Sequence, residues 1–248
     1  EADRESHMSQ REALKSELLD LIETHKEGFA SGTPESQRIN ALIDEMVEET
    51  PYPSALNHTD VFKGHWAGNY YNFGRLVGGD GAQDQGVGVS ASLNVFSMGR
   101  LPDVPATFVS SGLEIDPDAG QYNFYTRLKV GEAQIDTHHF TYGRYIKKDE
   151  NLDRFFGEFD SFEIMAMDPD MSAEDYCKAI GIDSPEELTA TLSPSPKLYS
   201  HVAYMDDDMR IQLRQLGGHY IMFRTDQPMY SVEHAKGNRI NPPAIAAE

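Results

Sequence analysis

Cysteine is almost absent. Cys177 is the only one, which excludes an internal disulfide and with it the small, stapled secreted domain. Its neighbours Glu174 and Asp175 disfavour a thiolate, so Cys177 reads as an inert, small apolar residue. Basic side chains are scarce too: 21 Lys and Arg face 41 Asp and Glu, a formal charge of −20. That balance argues against nucleic acid or an anionic lipid surface as a direct partner, because phosphates would be repelled. No apolar run reaches the roughly 20 residues that a membrane-crossing helix needs, so no transmembrane segment is expected, and no signal peptide is visible. Ser6-His7-Met8 reads as a cloning remnant, and residues 1–8 are set aside as a flexible N-terminus.

Catalytic signatures are missing as well. There is no phosphate-cradling Gly-x-x-x-x-Gly-Lys loop, and Gly86-Val87-Gly88 lacks the strand-turn-helix setting of a nucleotide site. Gly88-Val89-Ser90-Ala91-Ser92 lacks the last glycine of a nucleophile elbow. His138-His139 invites a metal reading, but neighbouring side chains on a strand point to opposite faces and cannot chelate one ion; one of them can instead face an interior as a polar contact. Asp206-Asp207-Asp208 lacks the alternating ligand spacing of a calcium loop and reads as a turn. The chain is therefore read as a non-enzyme with no catalytic residues, no metal site and no required cofactor. Acid–base chemistry at His138, His139 or Glu158 is the enzymatic alternative.

What is present is a change of period. Leu14, Leu18, Leu21 and Ile22 form one helical stripe; Ile39, Leu42, Ile43, Met46 and Val47 form a second, opened by Thr33-Pro34 and stopped by Pro51 and Pro53. From Val61 onward the period is two. Candidate strands are Phe62–Asn72, Val87–Phe96, Thr107–Ile115, Gln121–Val130, Gln134–Tyr145 and Phe155–Met167, followed by Leu198–Tyr204, Met209–Leu213 and His219–Phe223. Turn clusters separate most of them, which predicts an antiparallel meander closed so that no edge stays bare. Two interruptions stand out: the glycine-rich stretch 78–86, read as a disordered loop or a lid, and a helical insertion near residues 172–192, where Ser184-Pro185-Glu186-Glu187 matches a capping box. The expected organisation is a helical segment over 9–53, a barrel over 54–225 and a tail over 226–248 without core-like pattern.

Aromatic residues populate the strands. Tyr70, Tyr122, Phe124, Tyr125, Phe140, Tyr142 and Phe159 are the candidates for lining the barrel interior, since aromatic walls suit flat conjugated or long acyl ligands. The same residues also serve as core filling. Tyr122, Phe124 and Thr126 alternate with Asn123, Tyr125 and Arg127, and the pattern does not say which face looks inward. Phe62-Lys63-Gly64-His65-Trp66 carries the only tryptophan. A glycine two residues before a tryptophan at the opening of the first strand is similar to the start of lipocalin-type barrels, where Gly64 would bend the backbone and Trp66 would plug one end.

Further motifs extend the likeness. Residues 15–22 and 39–46, the Phe62–Trp66 strand opening, Gly143-Arg144-Tyr145-Ile146-Lys147-Lys148 leading into Arg154-Phe155-Phe156-Gly157-Glu158-Phe159, and above all Ala203-Tyr204-Met205-Asp206-Asp207-Asp208-Met209-Arg210-Ile211 with the closing Tyr220-Ile221-Met222-Phe223 resemble the plastid lipid-associated protein family, the plastoglobule fibrillins. The resemblance spans about residues 14–225. Asn69-Tyr70-Tyr71 and Gln212-Leu213-Arg214-Gln215 depart from the family pattern. The resemblance implies a mainly β fold: a lipocalin-like antiparallel β-barrel with two N-terminal α-helices. It implies binding of a carotenoid, quinone or other lipid, at a thylakoid or plastoglobule in a plastid or at the cyanobacterial equivalent. It also implies an arginine over the tryptophan, with Arg210 the first candidate and Arg224 the second, closing the barrel with Gly64. In the ligand-binding reading the partner surface is a thylakoid or a lipid droplet; the alternative role is a structural or assembly subunit docked on a photosynthetic membrane complex with an empty barrel.

Overall fold

A computed structural model describes residues 2–25, 29–30, 32–72, 84–85, 90–147, 153–214 and 218–226. Eight strands form a closed antiparallel barrel: β1 (Gly64–Asn72), β2 (Pro105–Asp116), β3 (Gln121–Val130), β4 (Ile135–Lys147), β5 (Arg154–Ala166), β6 (Lys197–Met205), β7 (Met209–Arg214) and β8 (His219–Thr225). Each strand pairs with the next in sequence, and β8 returns to β1 from His219↔Asn72 to Thr225↔His65. The meander is therefore continuous around the ring, which removes the exposed edges that an open sheet would carry.

Two helices precede the barrel, α1 (Ala2–Thr24) and α2 (Pro34–Glu48). The first runs through the residues set aside as a flexible N-terminus; no Gly or Pro interrupts that stretch. The Thr33 side chain accepts from the Ser36 N–H, and Pro34 occupies the first helical position, an arrangement worth about 1 kcal/mol. Most of the stripes foreseen on both helices is buried, Leu14, Leu18 and Ile22 on α1 and Ile39, Leu42, Ile43 and Met46 on α2, while Leu21 and Val47 at their edges are partly buried. They pack on the outside of the barrel, against Tyr70, Tyr204, Met209, Ile211 and Ile221. A polar clamp fixes α1 at one end. Lys15 Nζ donates to Asp206 at 2.9 Å and also to Asp208, the two carboxylates flanking the turn between β6 and β7. Asp206 further accepts from the N–H groups of Asp208 and Met209 at 3.0 and 2.7 Å, so the aspartate run is a turn that organises its own backbone.

Two expected strands differ at their ends. Phe62 closes a helical turn, Thr59–Phe62, and β1 starts at Gly64. Of the expected strand Val87–Phe96, residues 90–92 pair with β2 while Leu93–Phe96 forms a helical turn; the Asn94 side chain donates to Leu101 O there, fastening a reversal that an extended chain would lose. The insertion holds α3 (Ala173–Ile180), capped by Ser172 and ended by Gly181 at φ 75°, then a 3-10 turn capped by Ser184, then a short strand pairing with β5. Only 84–85 of the glycine-rich stretch 78–86 belongs to the described residues, in a two-residue pairing with 29–30; the tail beyond Asp226 lies outside them. No described helix is long and apolar enough to cross a membrane.

Candidate functional site

Four register shifts decide which side chains look inward: at Phe108/Ser110, Tyr142/Gly143, Val202/Tyr204 and Ile221/Met222. An extra residue in one strand inverts the alternation beyond it. Tyr122, Phe124, Phe159, Trp66 and Arg210 consequently face the lumen. Tyr70, Tyr125, Phe140 and Tyr142, expected as interior candidates, are on the outer face, and that expectation is corrected. Tyr70 lies among the residues under α1 and α2. Tyr125, Phe140 and Tyr142 form a separate outer cluster across β3 and β4, where Tyr125 Oη meets His138 Nδ1 at 2.6 Å and Tyr142 Oη donates to Glu163 at 3.2 Å. Both barrel faces are apolar here, so alternation of hydrophobicity carries no direction.

One end of the barrel is a plug. Trp66 is fully buried and its Nε1 donates to Phe62 O at 3.1 Å. The guanidinium carbon of Arg210 lies 4.8 Å from the indole centroid and 5.1 Å from that of Phe62; Arg224 lies 4.4 Å from the indole. Arg224 also donates to the carbonyls of Asp207 and Lys63 at 2.8 and 2.9 Å and to that of Val61. It thus ties the turn before β1 to the turn after β6. Gly64, at φ 129°, leaves room for this arginine, since a Cβ there would stand 3.0 Å from Arg224 Nη1. Arg210 is fully buried with no carboxylate beside it among the described residues, and burial pushes its guanidinium down to about 9. Its Nη2 donates to Gln212 Oε1 at 3.2 Å; Gln212 in turn donates to Tyr122 Oη and Ser200 Oγ at 3.2 and 3.0 Å. Tyr122 meets Phe155 edge-on and Phe159 at a tilt, with ring centroids 5.3 and 5.8 Å away, and the three fill the space above.

The opposite end is built differently. The β1–β2 ladder stops after Ala67↔Gly112. Beyond it the Tyr71 hydroxyl bonds both the N–H and the carbonyl of Ser111, each at 3.0 Å, and receives the Ser111 hydroxyl at 2.8 Å. A side chain thereby replaces a missing stretch of ladder. Over the mouth lie α3 and the turn Leu93–Phe96: Tyr176 Oη meets Thr137 Oγ1 at 2.8 Å, and Arg100 donates to Ser193 O at 2.8 Å. Cys177 is buried in this cover, its thiol pushed up by burial and then by Glu187 and Glu174.

Between plug and cover, one cross-strand row of polar side chains stands among the apolar residues of the lumen. Ser111, Thr126 and His139 are cross-strand neighbours on β2, β3 and β4. Ser111 is engaged by Tyr71. Thr126 Oγ1 and both ring nitrogens of His139 are buried without a hydrogen-bond partner, and burial holds the imidazole down at about 4, hence neutral at pH 7. The ring stands against Phe162 and Phe96, with centroids 6.1 and 6.3 Å away. His138 points outward, so the two histidines do not share a site. The described residues hold no group of His, Cys, Asp and Glu that could take a metal. One layer below the row, Phe124 faces inward in mid-strand yet is only half-buried, while Leu113 and Thr141 at its level are buried. Comparison with protein-family models and with curated proteins finds no match to the chain, so the function has to be argued from this geometry.

Proposed function

We propose that the barrel binds an apolar small molecule in its lumen, above the Trp66 plug and reached from the covered end. The observation that carries this reading is the half-burial of Phe124. An inward-facing phenylalanine in the middle of a closed barrel would be sealed if the chain's own side chains filled the interior, because protein cores pack to near-crystalline density. Its partial exposure, beside the buried Leu113 and the ring of Tyr220 5.9 Å away, is what an apolar ligand in the lumen would cover. The resemblance of its motifs to those of plastid lipid-associated proteins favours a carotenoid, quinone or acyl lipid as the ligand class, and a plastid or cyanobacterial membrane setting as the place of work.

The test is titration with the neutral fluorescent probe N-phenyl-1-naphthylamine. Saturable one-to-one binding is expected, and Phe124→Trp, which puts a larger side chain there, should weaken it about tenfold or more while the protein stays folded. Absence of saturable binding would refute the reading and favour the docking-subunit role.

A further inference from the structure

We infer that Thr126 and His139 form a receptor for the neutral oxygen of the bound molecule, a carbonyl or hydroxyl carried at the end of the ligand nearest the mouth. This rests on the proposed lumenal binding and adds the chemistry of the ligand's head.

Buried polar atoms in folded proteins nearly always have a partner, and each exception calls for an explanation. Here two exceptions are adjacent. Thr126 and His139 pair directly across β3 and β4 on the inward face, and three polar atoms between them have none. Their neighbour Ser111 shows what satisfaction looks like in the same row, since Tyr71 takes up its hydroxyl and backbone. Nothing comparable reaches His139, whose nearest rings are carbon faces.

The chemistry of the pair selects the ligand. A neutral imidazole has one N–H donor and one acceptor nitrogen, and a threonine hydroxyl can do either. Together they match a carbonyl, which accepts two hydrogen bonds, or a hydroxyl, which gives one and takes one. They do not match a carboxylate, whose charge would be buried without a cation. The cations near the plug, Arg210 and Arg224, lie layers below and stand over aromatic rings. Access is also in place. Phe96, which covers the imidazole, is half-buried and sits on the short turn at the mouth. Its displacement would let an oxygen reach His139 while the apolar body lies against Phe124.

Three probes matched in carbon number separate the possibilities by calorimetric titration: 2-undecanone, pentylbenzene and undecanoate. Wild-type protein should bind the ketone about tenfold or more tighter than the hydrocarbon, the discrimination that a buried polar site gives when its groups are left unpaired. Thr126→Val and His139→Phe together should abolish that preference, the ketone then binding no tighter than the hydrocarbon, with circular dichroism confirming the fold. Thr126→Val alone, nearly isosteric, should remove part of it. Equal binding of ketone and hydrocarbon by the wild type would overturn the inference and leave lumenal binding intact. Preference for undecanoate, lost in Arg210→Met, would overturn it in favour of a carboxylate site at the plug. Binding of none of the three would refute the lumenal reading itself.

Discussion

Arg210 lies over Trp66 with its guanidinium carbon 4.8 Å from the indole centroid, and both side chains are fully buried. They come from opposite ends of the barrel sequence, β1 and β7. The contact exists only when the ring is closed, so it belongs to topology rather than to any local motif. The cation has aromatic faces and a glutamine for company but no carboxylate among the described residues. Two opposing quantities meet here: a cation–π contact of about 0.5–2 kcal/mol per ring, and the cost of burying an unpaired charge, which is several kcal/mol before compensation.

Trp66→Ala and Arg210→Met should therefore differ. Removing the indole leaves a cavity in a packed plug and should cost about 3–5 kcal/mol. Replacing the arginine with a methionine of similar length forfeits the cation–π contacts but relieves the buried charge, so stability should change by less than about 1.5 kcal/mol. Urea unfolding followed by far-ultraviolet circular dichroism measures both. Equal losses would mean that the cation, and not the ring, holds the plug.

Gly68 and Tyr71 make a second testable device. A Cβ on Gly68 would fall 1.6 Å from Tyr71 Oη and 2.2 Å from its ring carbon Cζ, so the tyrosine crosses the space that a side chain would need. Gly68→Ala should displace the ring and free the Ser111 N–H and carbonyl. Tyr71→Phe keeps the ring and removes only the hydroxyl, leaving those buried groups unpaired at about 1–3 kcal/mol. Gly68→Ala should cost more than Tyr71→Phe, and amide exchange at Ser111 should accelerate in both. Wild-type melting of Gly68→Ala would show that the strand relaxes freely at this point.

Most of the fold was legible because its signals are local. Thr33-Pro34 and Ser184-Pro185 announce their caps, the stripes of α1 and α2 name the residues that become buried, and the paired glycine and tryptophan mark where β1 starts. The direction of the side chains was not legible. Each register shift inverts the inward face, and a bulge at Tyr142/Gly143 leaves no trace in an alternation of residues that are apolar on both sides. Tyr125, Phe140 and Tyr142 read like lumen residues for that reason. Tyr70 does too, because α1 and α2 cover the outer face there and apolar residues are needed on it. Thr126 was visible as one member of the Tyr122, Phe124, Thr126 face, and His139 as one of two histidines on opposite faces. That both lack partners depends on contacts between three strands, which no spacing encodes. The role of Tyr71 as a substitute for ladder hydrogen bonds was equally hidden, since it follows from where β1 leaves β2.

The buried imidazole also sets how the protein responds to acid. Burial lowers His139 from 6.5 to about 4, and His219, buried beside Tyr70, is held down to about 4 in the same way. Between these values the unfolded chain binds a proton at each site that the folded one refuses. Stability is therefore fully present above pH 6.5 and falls as the pH drops towards 4, by about 1.4 kcal/mol per pH unit for each histidine. His139→Phe removes one of the two, so its stability curve should be flatter than wild type by about that slope across the window and parallel above it. At pH 7 the variant should be as stable as wild type or more so, because the change replaces an imidazole lacking hydrogen bonds with a ring of similar size in an apolar wall. Urea unfolding at half-unit steps from pH 4 to 7 measures both features. Parallel curves over the whole range would mean that His139 titrates normally in the folded state, and the lumen around it would then have to be wet rather than apolar.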